Sequence, residues 1–178
     1  MRILELVIGG ILARLLKLVA LTGMRSNLNR VVDNFWIGGV NTSHIIISNR
    51  FSAVLDLRTN DDDQYRKSLE DYSITYKNVK IPDRQGALPQ TLQEIVGWIA
   101  DRATKEKILV HCNLGRGRAG LVAAAYLVYK GTEPEKALKE VRKVRRVTYL
   151  NNKQRESLQQ FSDMMAFLRA HDTFKKSC

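Results

Sequence analysis

At 178 residues, 44% of them hydrophobic, the chain can hold one domain with a real core and is short for two. Its two cysteines argue against a disulfide framework and for a reducing, intracellular compartment, read as cytoplasmic. With 29 Lys and Arg against 18 Asp and Glu, the formal charge of +11 favours anionic partners: phosphoproteins, phospholipid headgroups or nucleic acid.

The first segment, Met1–Gly23, is strongly apolar but carries Arg2, Glu5, Arg14 and Lys17. Its longest uncharged run, Leu6–Ala13, is eight residues, far below the ~20 needed to span a bilayer. On a helical wheel Leu4, Ile8, Ile11, Leu12, Leu15, Leu18 and Val19 share one face, opposite the charged groups and both glycines. Two readings compete for this amphipathic helix over 1–24: packing on the domain, or peripheral contact of residues 1–23 with a membrane interface. A secretory signal fits poorly, because charges interrupt the apolar core and no small-x-small cleavage site follows.

Strand and helix signals then alternate. Asn34–Gly38 and Ser52–Leu57 read as strands, followed by an Arg58-Thr59-Asn60 loop. A polar helix spans about Asp61–Glu70, with Asp61, Asp62 and Asp63 as its solvated start. Ile74–Ile81 alternates as a strand, and Pro82 and Gly86 mark a loop after it. Leu88–Thr104 has helical periodicity, with Leu92, Ile95, Val96 and Ile99 on one face. Lys107–His111 is a strand, and three helices follow: Arg118–Tyr129, Glu133–Arg145 with Pro134 in its first turn, and Asn151–Ala170. Alternation of this kind predicts an α/β fold with a mostly parallel central sheet flanked by helices on both faces. The main domain is placed at 25–170 and a frayed tail at 171–178. Lys136, Lys139, Arg142, Lys143, Arg145 and Arg146 concentrate positive charge around one late helix. No aromatic residues interleave with them for base stacking, so nucleic acid ranks last among the partners.

The chemistry concentrates at His111-Cys112-Asn113-Leu114-Gly115-Arg116-Gly117-Arg118, between a strand and a helix. A loop at the carboxyl end of a strand lies where open α/β sheets bind ligands. Backbone N–H groups from Asn113 to Gly117 and the positive end of the following helix can cradle a phosphate. The same field favours the thiolate of Cys112, the nucleophilic form. Arg118 can fork across two oxygens of a phosphoryl group, which a lysine cannot do in one plane. The histidines, His44, His111 and His171, show no ligand-like clustering, so no metal or other cofactor is expected.

His111-Cys112-x-x-Gly115-x-x-Arg118 resembles the signature loop of the cysteine-based protein tyrosine phosphatase superfamily, in its compact dual-specificity branch. The resemblance covers about residues 33–168 and implies that branch's fold. It also implies a general-acid aspartate on a loop about thirty residues before the cysteine, and Asp83 lies 29 residues before Cys112. Cys112 would attack phosphorus while Asp83 protonates the leaving oxygen. Asp83 would then activate water against the cysteinyl-phosphate, with Arg118 and the loop amides stabilising the charge. His111 would orient the loop. Ala119 stands where the family usually has Ser or Thr, whose hydroxyl helps the thiolate leave, so slower breakdown of the intermediate is expected. Asn151 and Leu158 match a further family segment, with Leu150 where Pro is usual. Arg116 resembles the extra basic loop residue of inositol-lipid phosphatases.

The function read from these residues is a tyrosine or dual-specificity protein phosphatase acting through a cysteinyl-phosphate. The alternative is a phospholipid phosphatase at a membrane surface, on phosphatidylglycerophosphate or a phosphoinositide. A weakly active phosphate-binding module is a minor third reading.

Overall fold

The computed structural model describes residues 2–21 and 27–176. Helix α1 (Arg2–Leu21) precedes strands β1 (Leu28–Val32) and β2 (Phe35–Gly38), a short helix α2 (Ser43–Ser48) and strand β3 (Ala53–Asp56). Helix α3 (Asp63–Glu70), strand β4 (Thr75–Asn78), helix α4 (Pro89–Ala103) and strand β5 (Ile108–His111) follow. Helices α5 (Arg118–Tyr129), α6 (Pro134–Val144) and α7 (Asn152–Lys176) complete the chain.

The strands form one sheet in the order β1-β2-β5-β3-β4, with β1 antiparallel to β2 and the remaining neighbours parallel. Central β3 and β5 are buried at every position, as their unbroken apolar runs require. Alternate residues feed the two layers. Ala53, Leu55, Ile108 and Val110 meet α4, α5 and α7 residues such as Ile95, Val122 and Phe161, whereas Val54 and Leu109 meet Ile46 and Leu69 of α2 and α3. The expected mostly parallel sheet with helices on both faces is therefore observed. Helix α5 is buried over most of its length, and Gly120 lies so close to Thr148 that a Cβ there would come within 2.6 Å of its methyl.

Two elements carried no sequence signal. Strand β1, Leu-Asn-Arg-Val-Val, lacks alternation and exists because β2 offers it an open edge. Helix α2 is six residues, too short for a periodic pattern, and starts at Thr42, whose Oγ1 accepts from the Ile45 N–H. The last helix runs through Lys176 rather than ending at Ala170, so most of the expected tail is helical; residues 177–178 lie outside the described residues, as do 22–26.

Candidate active site

Strand β5 ends at His111, and the chain enters the 112–117 loop before α5 begins at Arg118. Gly115 has φ +65°, and a Cβ there would come within 2.2 Å of the Gly38 carbonyl carbon. Any side chain would drive the loop off the end of β2. The loop is also tied to that strand end by Cys112 N–H donating to Gly38 O (3.4 Å) and Val40 N–H donating to Asn113 O (3.2 Å). Gly117 is the N-cap of α5 with no side-chain cap, which leaves first-turn N–H groups for an anion.

Cys112, Asn113, Leu114, Arg116, Gly117 and Arg118 line one cleft of about 900 Å³ together with Asp83. Cys112 is a free thiol, 3% exposed. The Arg118 guanidinium is fixed by Nη1 donating to Leu57 O (3.2 Å) and Ile81 O (3.0 Å). Its Nη2 lies 3.0 Å from Asp83 Oδ1, and its buried Nε has no partner. An arginine that lines the cleft and keeps a donor without a partner can take a phosphate oxygen. Asp83 is largely exposed, so it can reach both Arg118 and an incoming leaving group.

The Asp83 loop is fastened to the start of α7. Asn151 Nδ2 donates to Arg84 O (2.7 Å) while its Oδ1 caps α7 by accepting from Gln154 N–H (3.0 Å). Gln154 Nε2 donates to Gln85 O (3.3 Å), and Ala87 N–H donates to Ser157 Oγ (3.0 Å). These bonds hold Arg84 at φ +59°, a conformation a side chain pays for, directly after Asp83. The Asn151 match to the family segment thus has a physical role. Gln154, which also lines the cleft, had no sequence signal.

His111 does not reach the cleft. It is fully buried, its Nδ1 3.8 Å from Asp56 Oδ1 and its ring edge-on to Tyr65. Burial pushes its pKa down to about 4 against the pull of the Asp56 charge, so it is neutral at physiological pH. Asp56 accepts from Arg58 N–H (2.9 Å), from the Arg58 guanidinium and from the Tyr76 hydroxyl (3.0 Å). Burial alone would raise the Asp56 pKa; His111 and Arg58 outweigh it and hold the carboxyl below its usual value.

One arginine differs from expectation. Arg145 does not join the basic surface around α6. It is 2% exposed beneath the loop, with Nε donating to Gly115 O and Nη2 to Leu114 O (3.0 Å) and Asn27 Oδ1 (2.8 Å). Its Nη1 donates to Asn29 Oδ1 (2.6 Å). Burial lowers its pKa to about 10, opposed by the nearby Cys112 charge. Arg116, which resembles the extra basic loop residue of inositol-lipid phosphatases, lines the cleft and also ties the fold together: Nη2 donates to Leu6 O of α1 (2.8 Å) and Nε to Val147 O (3.2 Å), with the guanidinium over the Tyr149 ring. Helix α1 is therefore packed on the domain, along the cleft: Leu6, Gly10, Arg14 and Lys17 form one wall, Leu18 stands at its exposed edge, and Lys17 Nζ donates to Asn113 Oδ1. A Cβ at Gly10 would come within 3.0 Å of Arg116 Nη1, so the helix lies close against that guanidinium at this turn.

Residues 36–164 match the family profile "Dual specificity phosphatase, catalytic domain". The structure is similar to that of Tk-PTP in its active form, at 26% identity and a TM-score of 0.68 over 79% of this chain and 99% of that one. It shares its fold with PTPMT1, at 17% identity and a TM-score of 0.71 over 81% of this chain and 99% of that one. A 67-residue stretch, 35% of this chain, is 42% identical to a phosphatidylinositol 3,4,5-trisphosphate 3-phosphatase and protein-tyrosine-phosphatase, PTEN1, of Arabidopsis thaliana, and spans 16% of that protein. The chain belongs to the dual-specificity phosphatase catalytic-domain family.

Proposed function

We propose that the protein hydrolyses phosphate monoesters in two displacements. Cys112 Sγ attacks phosphorus, and the P–O bond to the leaving group breaks as Asp83 gives its proton to that oxygen. Water then attacks the cysteinyl-phosphate, giving its proton to Asp83 and freeing the thiolate with inorganic phosphate. Arg118 and the uncapped amides of α5 hold the equatorial oxygens through both steps. The observation that carries this reading is the cleft that Cys112, Asp83 and Arg118 share, with Asp83 paired to Arg118 Nη2 and the Arg118 Nε without a partner. His111, neutral and buried, serves as a positioning residue below the loop.

The test is phosphate release from an aryl phosphate. Cys112→Ser is expected to abolish it, and activity surviving that change would refute the mechanism. Asp83→Ala is expected to slow turnover while substrate still binds, and most on substrates with poor leaving groups. An unchanged rate on those substrates would remove Asp83 from the acid role.

The substrate of the first reading is a phosphoprotein, phosphotyrosine foremost, as the family implies. The cleft lining supports a phospholipid as the second: Arg14, Lys17, Arg84, Arg116 and Arg118 stand against one acid, Asp83, itself paired. The printed name of PTEN1 covers both readings, a phosphatidylinositol 3,4,5-trisphosphate 3-phosphatase and a protein-tyrosine-phosphatase, and PTPMT1, which shares the fold, has been solved in complex with PI(5)P. Rates on a phosphotyrosine peptide and on liposomal phosphatidylglycerophosphate separate the two, and a higher kcat/KM on the peptide would reject the lipid reading.

A further inference from the structure

The polar and small face of α1 meets the domain, so its apolar face is left outside. Val7, Ile8, Ile11, Leu12, Leu15 and Leu18 are each 44–60% exposed. They make up six of the ten large apolar side chains exposed among the described residues. At 100° per residue they cover about 140° of the helix, one continuous stripe rather than scattered positions. No helix among the described residues is long and apolar enough to cross a membrane, so the stripe is not part of a span.

What surrounds the stripe names its partner. Arg14 and Lys17 flank it on the cleft side of α1, and the cleft behind them adds Arg84, Arg116 and Arg118 against one acid, Asp83, which is paired with Arg118. An apolar helix face bordered by cations fits a surface with hydrocarbon beneath anionic headgroups. A second copy of the chain fits worse, because a two-fold contact through the stripe would bring the two basic rims, each part of a +11 molecule, toward one another.

We propose that α1 is a monotopic docking helix that seats the protein on an anionic bilayer. The same helix walls the catalytic cleft, so docking sets the cleft mouth at headgroup depth. Arg116, through its bond to Leu6 O, couples the signature loop to the docked helix. The docking is a property of the outer face of α1 and adds to the phosphatase reading without depending on catalysis.

The experiment is flotation of the full chain with vesicles of phosphatidylcholine, alone or mixed with phosphatidylglycerol. Wild type and Cys112→Ser are both expected to float with the mixed vesicles and to stay at the bottom with phosphatidylcholine alone. Combining Ile8→Ser, Ile11→Ser and Leu15→Ser changes only the exposed stripe, and is expected to weaken partitioning roughly a hundredfold. That variant should keep the wild-type rate on a soluble aryl phosphate, which also shows that it folds. Wild type remaining at the bottom with mixed vesicles, or the triple variant floating like wild type, would overturn the proposal. So would a wild-type dimer in sedimentation that the triple variant dissolves, since that assigns the stripe to a second copy. Flotation of a protein without aryl phosphatase activity would instead refute the catalytic reading and leave the docking intact.

Discussion

Arg145→Lys tests whether the signature loop is shaped from beneath. The guanidinium bonds four acceptors, two of them loop carbonyls (Leu114 O and Gly115 O) and two on the β1 side (Asn27 Oδ1 and Asn29 Oδ1). A lysine ammonium is a point charge and cannot span this fork. If it keeps two acceptors and loses two, each bond to a charged group being worth ~1.5–3 kcal/mol before rehydration offsets part of it, the net loss is about 2–4 kcal/mol. For a domain of this size that corresponds to a fall in Tm of about 6–12 °C. Activity should fall further than stability implies, because displacing the loop by about 1 Å costs on the order of a hundredfold in rate. Thermal unfolding followed by circular dichroism gives the first quantity. Aryl phosphate hydrolysis well below the new Tm gives the second. A Tm within about 2 °C of wild type and a kcat/KM within about twofold would refute the clamp.

Further outcomes follow from the same geometry. His111 is held neutral, its pKa falling from 6.5 to about 4, so the folded state binds fewer protons than the unfolded chain between those values. Stability from this group is present above pH 6.5 and is lost as pH falls toward 4, by about 3 kcal/mol; His111→Gln should flatten the pH dependence of Tm in that window, and an unchanged slope would reject the buried neutral imidazole. Ala119→Ser places a hydroxyl directly after Arg118, where the family usually has one, and a several-fold rise in steady-state kcat with a smaller initial burst is expected; an unchanged kcat would show that cysteinyl-phosphate breakdown does not limit turnover. Asn151→Ala removes both the cap of α7 and the tie to Arg84 O, costing about 1 kcal/mol in stability. It should slow hydrolysis of alkyl phosphates more than aryl phosphates, because only the former depend strongly on a placed Asp83; equal effects on both would argue against that tie.

The place of the candidate loop was legible because its residues are contiguous: a cysteine, glycines and an arginine lie between one strand and one helix and need only local geometry to come together. The place of Asp83 in the cleft was legible for a related reason, since Pro82 and Gly86 mark its loop and the family resemblance implies an aspartate at about that distance before Cys112. The central strands were equally readable, as β3 and β5 are buried on both faces and carry unbroken apolar runs. Strand β1 and helix α2 were not, because one is created by its neighbour's open edge and the other is too short for a period.

The amino-acid sequence by itself determined the candidate site residues and the layered α/β fold, both written in local pattern. Tertiary structure alone decided what each distant cation does. Arg145 and Arg116 look alike in the chain, two basic residues in a basic protein, yet one is buried under the loop and the other holds α1, by contacts 30 to 118 residues apart in sequence. The same holds for α1. Its wheel shows an apolar and a polar face, and either could have met the domain. Gly10 against Arg116 and Lys17 against Asn113 settle it, because glycines admit close approach and the loop offers polar partners, so the apolar face is turned to the outside.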